Sequence, residues 1–151
     1  MSTITVQTSR AIAAKPEDVY AFLRDYRKRP QILTPNFLDY TVEEGGEGAG
    51  TLIRYRLLAA RRERTYQMRV DEPVEGRVLR ESDTGSTLVT TWTVSPGAGA
   101  QGTTAGLASK WQGGTGIGGF MERTFAPIGL RRIYGEILAR LGQAMQSESA
   151  G

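Results

Sequence analysis

Residues 51–72 read TLIRYRLLAARRERTYQMRVDE. Ile53, Tyr55 and Leu57 alternate with Arg54 and Arg56. After a charged break at residues 61–63, Tyr66, Met68 and Val70 alternate with Gln67 and Arg69. Successive side chains of a strand point to opposite faces, so the stretch is a β-hairpin with one apolar and one polar face. Similar segments flank it at 37–44, 77–83, 87–95 and 103–111, and residues 2–12 add a Thr- and Val-rich strand. The breaks at 45–50, 73–76, 84–86 and 96–102 are short and carry Gly or Pro, which favours antiparallel neighbours.

Two helical patterns frame these strands. Pro16 suits a first helical position, Glu17 and Asp18 complement the positive end of the dipole, and Val19, Phe22, Leu23 and Tyr26 recur at helical spacing. A stop is expected near residues 27–30, with a second short helix or turn around Gln31 and Ile32. Near the C-terminus, Leu130, Ile133, Tyr134, Ile137, Leu138, Leu141 and Met145 form a broad apolar stripe. Pro127 and Gly129 are expected to kink or split this helix from the segment 117–125. A one-sided helix needs a surface to cover, and a curved sheet with one apolar face supplies it. The class is therefore α+β, with the order strand, short helices, six strands, long helix.

The 151 residues, 39% apolar and 23% charged, suffice for one globular domain. Residues 1–146 are assigned to it, with 147–151 as a frayed tail. The chain has no Cys and no His, so thiolate nucleophiles, imidazole bases and the usual zinc ligands are excluded. No loop gathers carboxylates for an oxygen-only metal site, and no metal or cofactor is expected. The opening MSTITVQTSR lacks the plan of a secretory signal, and the charge-free stretch 84–109 is too rich in Thr, Ser and Gly for a membrane span. A cytoplasmic protein, monomer or homodimer, is expected.

The run Gly114-Thr115-Gly116-Ile117-Gly118-Gly119 matches the dinucleotide pattern G-x-G-x-x-G. No parallel strand follows its helix to carry the ribose acid, so it reads as a flexible connection. The expected opening segment is 113–125, moving while 130–145 stays docked. The glycines at 45–50 read as a hairpin turn. Arg24, Arg27, Lys28 and Arg29, and the tip residues Arg61, Arg62 and Arg64, read as solvated faces. Their alternative role is contact with RNA phosphate or an acidic partner, although a net charge of +3 does not require one.

Alternation turns Leu88, Thr90, Trp92 and Val94 to the apolar face, with Leu107, Ser109 and Trp111. In residues 77–83 both parities mix charge with apolar groups, leaving open whether Arg80 or Glu81 faces inward. The aromatic face, opposite Phe120, Phe125 and Tyr134, is either packed core or lined pocket. The candidate ligand-binding residues are Tyr55, Leu57, Tyr66, Met68, Arg80, Thr90, Trp92, Trp111, Phe120, Phe125 and Tyr134. Tyr55, Tyr66 and Arg80 could polarise a carbonyl.

The segment Ala14-Lys15-Pro16-Glu17-Asp18-Val19-Tyr20-Ala21-Phe22-Leu23 resembles the A-x-P-E-x-V-[WY]-x-x-[LI] start of the polyketide cyclase/dehydrase-like proteins. That group shares a superfamily with START lipid-transfer domains and the major birch-pollen allergen. Gly50-Thr51 before a strand, the hairpins and the last helix are similar too. The resemblance implies the helix-grip fold, in which a strongly bent seven-stranded antiparallel sheet wraps a long C-terminal helix and leaves a cavity. It implies a carrier of a small apolar, aromatic, lipid-like or polyketide-like molecule, or a cyclase/dehydratase working without His or Cys. A ribosome-association toxin in the same superfamily supplies the macromolecule-binding alternative.

Overall fold

The computed structural model describes residues 3–59, 61–99, 102–113 and 116–150, with the side chains of 116–126 and 149–150 excepted. Its elements are β1 (Thr3–Ile12), α1 (Pro16–Arg24), a 3-10 turn (Arg29–Gln31), β2 (Phe37–Glu44), β3 (Leu52–Ala59), β4 (Arg62–Val74), β5 (Val78–Asp83), β6 (Val89–Pro96), β7 (Thr103–Gln112) and α2 (Gly116–Ala150). The strands form one antiparallel sheet in the order β1-β7-β6-β5-β4-β3-β2. This is the helix-grip architecture that the residue pattern and the resemblance imply.

α1 begins as its sequence dictates, with Pro16 in the first turn beside Glu17 and Asp18. It buries Val19, Tyr20, Phe22 and Leu23 and ends at Arg24. Tyr26 lies beyond the helix yet is fully buried. The second helix is the single 3-10 turn. It carries Arg29 into the core at 3% exposure, against the expectation of a solvated basic face.

The apolar faces of β3, β4, β6 and β7 lie where alternation puts them, with Ile53, Tyr55, Met68, Val70, Trp92, Val94 and Leu107 buried. β4 departs from its expected limits at both ends. The hairpin turn is tighter than read, since Arg62 already pairs with Ala59, and the strand runs through Pro73 to Val74 across an irregularity after Asp71. Pro73 is tolerated because a bulge removes the need for its missing N–H.

α2 is continuous from Gly116 to Ala150 and holds Pro127 within it, so Pro127 and Gly129 do not split it. A proline breaks only its own bond to the preceding turn, and the helix on both sides carries on. The buried stripe Ile133, Tyr134, Ile137, Leu138, Leu141 and Met145 packs chiefly on β1 and lightly on β7. The helix also passes the expected frayed end at Gln146, and Glu148 meets Lys28 at 3.3 Å. Residues 114 and 115 of the expected opening segment, and the side chains of Phe120, Met121 and Phe125, lie outside the described residues. Among the described residues no helix is long and apolar enough to cross a membrane, and no cluster of acids could hold a metal ion.

Candidate functional site: a small aromatic cavity with a buried ion pair

Between the sheet and α2 lies a cavity of about 30 Å³. That is room for a water molecule or two. Phe37, Tyr40, Tyr55 and Trp92 form much of its wall, with Ile53, Leu107 and Ile137 as aliphatic lining. Phe37 stands edge-on to Tyr55 at 5.2 Å, and Tyr66 leans on Tyr55 at 5.9 Å. A larger hollow of about 630 Å³ lies outside, along the polar outer side of α2 near Gln31, Arg140 and Glu148. It is the more open and more polar of the two, so the inner cavity, with its largely apolar wall, better fits a small-molecule site.

The polar end of the cavity is built by Arg29. Its Nη1 donates to Glu81 Oε2 at 3.0 Å, and its Nη2 donates to the Leu23 carbonyl at 2.8 Å. The latter places a cation on a carbonyl of the last turn of α1, where the helix dipole favours it. The guanidinium lies 4.4 Å from the Tyr26 ring and 4.8 Å from the Trp92 ring. Glu81 also accepts from the Tyr26 hydroxyl at 2.7 Å, and Tyr40 donates to the Tyr26 carbonyl at 2.7 Å. Burial works against the Arg29 charge, but Glu81, with Tyr26 and Tyr40, outweighs it and holds the guanidinium above its ordinary value. Two donors here, Arg29 Nε and Trp92 Nε1, are buried with no hydrogen-bond partner among the protein's own groups.

Opposite, Thr90 and Ser109, paired across β6 and β7, share a hydrogen bond of 2.6 Å, and Ser109 bonds in turn to the Tyr134 hydroxyl. Burial pushes the Tyr134 phenol up to about 12 against these hydrogen bonds. Burial likewise raises Tyr40, Tyr55 and Tyr26, the last helped by the Glu81 charge. The tyrosines are thus neutral at ordinary pH, and with Arg29 balancing Glu81 the cavity carries no net charge.

Of the expected residues, Tyr55, Thr90, Trp92 and Tyr134 line this cavity. Met68 is fully buried in the core, while Leu57, Tyr66 and Trp111 are half-buried. Arg80 must be removed from the set. The register of β5 turns Leu79 and Glu81 inward and Arg80 outward, where it is exposed and forms a bidentate pair with Asp71 at 3.1 and 2.6 Å. The structure also brings in Arg29, Leu33, Phe37, Tyr40 and Glu81. Tyr40 arrives through a bulge. β2 slips register between Leu38 and Thr41, Asp39 takes φ +54°, and Phe37 and Tyr40 both reach the cavity although they are three apart.

The glycines after β2 serve the same corner. Tyr26 N–H donates to the Gly46 carbonyl, Gly48 N–H to the Arg24 carbonyl, and Arg27 Nη2 to the Gly45 carbonyl. Glu72 is half-buried and accepts from Tyr20 at 2.6 Å and from the Ala49 N–H at 2.9 Å. The loop is clamped onto the end of α1, one turn from Arg29.

A bent antiparallel sheet closed over a C-terminal helix, with a cavity at their interface, defines the helix-grip class. The chain belongs to the polyketide cyclase / dehydrase and lipid transport family, whose model matches residues 3–146. Among solved structures it is similar to the KanY protein, at 38% identity over 97% of this chain and 99% of that one, with a TM-score of 0.84. A protein from Thermus thermophilus shares 21% identity over 96% of this chain and 99% of its own, with a TM-score of 0.81. The Zhui aromatase/cyclase from Streptomyces sp. R1128 shares 17% over 96% and 94%, with a TM-score of 0.76, a likeness of fold. No curated protein matches the chain.

Proposed function

We propose that this protein binds a small, largely apolar, aromatic molecule between the sheet and α2. The observation that carries the reading is an aromatic-walled cavity in the core beside two buried donors without partners. A satisfied core pairs such groups, and leaving one unpaired costs about 1–3 kcal/mol. The family's name, which joins cyclisation with lipid transport, supports the same reading. A guest larger than water requires the wall to move. α2 rests mainly on β1, so Phe37, Tyr40 and Tyr55 can part from it without unseating the helix, while the Leu33 carbonyl stays tied to Arg140 of α2 at 3.1 Å. Each Å² of apolar guest surface removed from water then contributes about 25 cal/mol before ordering costs. Native mass spectrometry of freshly purified protein, followed by displacement of a fluorescent aromatic dye, tests this. Dye binding that Tyr55→Trp and Ile137→Trp leave unchanged would place the site elsewhere.

The macromolecule-binding reading keeps less support. Arg29 is buried, Arg24 faces Glu47 and Glu72, and Arg27 holds Gly45, which leaves the exposed Arg61, Arg62 and Arg64. Ribosome co-sedimentation at low salt, with those three reversed to Glu, is its test.

A further inference from the structure

The cavity's polar end selects among apolar molecules, and the selection follows from which groups are already satisfied. The Arg29 charge is spoken for: Glu81 sits at 3.0 Å, and both side chains are 4% exposed. A guanidinium has five N–H donors and no acceptor. Nη1 and Nη2 are directed at Glu81 and Leu23, while Nε is directed at neither. Trp92 Nε1 is likewise a donor and nothing else, and its ring lies against the same guanidinium.

We infer, resting on the cavity reading above, that the guest is uncharged and carries a strong acceptor oxygen, a ketone, quinone or ester carbonyl, which receives the Arg29 Nε and Trp92 Nε1 protons. A carboxylate is rejected although an arginine is present. Its charge would be buried beside Glu81, where Arg29 is already neutralised, and burying an unbalanced charge is far costlier than burying a dipole. A plain hydrocarbon is rejected more mildly, because it would seal both donors away from water with nothing to accept them. The site therefore discriminates against fatty acids and bare hydrocarbons and in favour of neutral aromatic ketones. Arg29 and Trp92 are the specificity-determining residues.

Three probes of one ring system test this: fluorene, 9-fluorenone and fluorene-9-carboxylate, titrated into the full chain by calorimetry at neutral pH. Partitioning out of water favours the hydrocarbon, so a preference for the ketone has to come from the site. The expected result is fluorenone binding about tenfold or more tightly than fluorene, with the carboxylate weaker than either. In 15N-resolved NMR spectra, fluorenone should shift the Trp92 indole and Arg29 Nε protons downfield, and fluorene should not. Trp92→Phe, which also trims the cavity wall, should reduce the ketone-to-fluorene affinity ratio several-fold, whatever it does to the affinity of each probe alone. If fluorene or the carboxylate equals the ketone, or if the two N–H signals stay in place on ketone binding, the inference is overturned while the cavity reading stands. If none of the probes binds, both are overturned.

Discussion

Glu81→Gln tests whether the polar corner is an ion pair held in low dielectric or a set of hydrogen bonds that an amide could replace. Gln keeps the shape of Glu and can still accept from Tyr26, so what it removes is the charge. Arg29 is 3% exposed, and the nearest carbonyl partner, that of Leu23, supplies a dipole only. Breaking a buried pair by removing one charge costs about 3–5 kcal/mol, against a total stability of about 5–15 kcal/mol for a domain. At about 2–4 °C per kcal/mol for a chain of this size, Glu81→Gln should melt about 6–20 °C below the parent. Urea titration at two ionic strengths reads the free energy, and added salt should change it little, because a buried pair is poorly screened. The double variant Arg29→Met/Glu81→Leu should recover most of the loss, since apolar replacement of a whole buried pair is often neutral or better. A loss under about 1 kcal/mol for Glu81→Gln, or a double variant no better than the single, would refute the reasoning.

Gly48 has φ +59°, and a Cβ there would collide with Glu72 Oε1 and Arg24 Nη2, so Gly48→Ala should cost about 2–3 kcal/mol as those groups swing off the loop. Gly50→Ala, also at positive φ but in open space, should cost only the backbone share of about 1–2 kcal/mol, and equal losses in urea would contradict the clamp. Burial pushes the Glu72 carboxyl up, but Tyr20, the Ala49 N–H and Arg24 outweigh it and hold it below its usual range. Its contribution is therefore present above the unfolded carboxylate pKa and lost as pH falls through the lower folded value, and Glu72→Gln should flatten that acid limb of the stability curve. At the alkaline end Tyr20, Tyr26, Tyr40, Tyr55 and Tyr134 all ionise above their ordinary value, mainly because burial disfavours phenolate. Their contribution is complete below about pH 10 and declines as pH rises toward the folded values, so the tyrosinate absorbance of these five should appear with unfolding rather than before it.

The sheet was legible because its strands obey a period of two with one face apolar, and the long helix because its stripe obeys a period of 3.6. What remained hidden is instructive. Residues 78–83, VLRESD, place a charge on each face, and nothing local distinguishes Arg80 from Glu81. The choice is made by Arg29, 52 residues away, and by Asp71 on the neighbouring strand. Arg29 itself stands in a run of basic residues that looks uniformly solvated. Only the 3-10 turn, seated on the end of α1, carries it inward. A regular β2 would put Phe37 and Tyr40 on opposite faces, and the slip that brings both to the cavity falls at Asp39, a residue type tolerant of positive φ. Aromatic content alone did not separate packed core from pocket. Among the described residues the core side chains are buried against one another, and two donors without a protein partner, which depend on three-dimensional neighbours, mark the cavity.

The strand order also fixes when each part of the chain can fold during its own synthesis. β2 through β7 pair with sequence neighbours, so hairpins close as they are made. β1 has one partner, β7, with Ile12 opposite Thr103 and Thr3 opposite Gln112. At about 5–20 residues per second, the first strand waits on the order of five to twenty seconds before the ribosome delivers its mate. Throughout that interval Ile4, Val6 and Ile12 lack both the β7 strand that pairs beside them and the α2 helix that packs on β1, and the α1 side chains Val19, Phe22 and Leu23 lack a finished core. The first 26 residues therefore reach their final packing only when β7 has paired with β1 and α2 has come to rest on it.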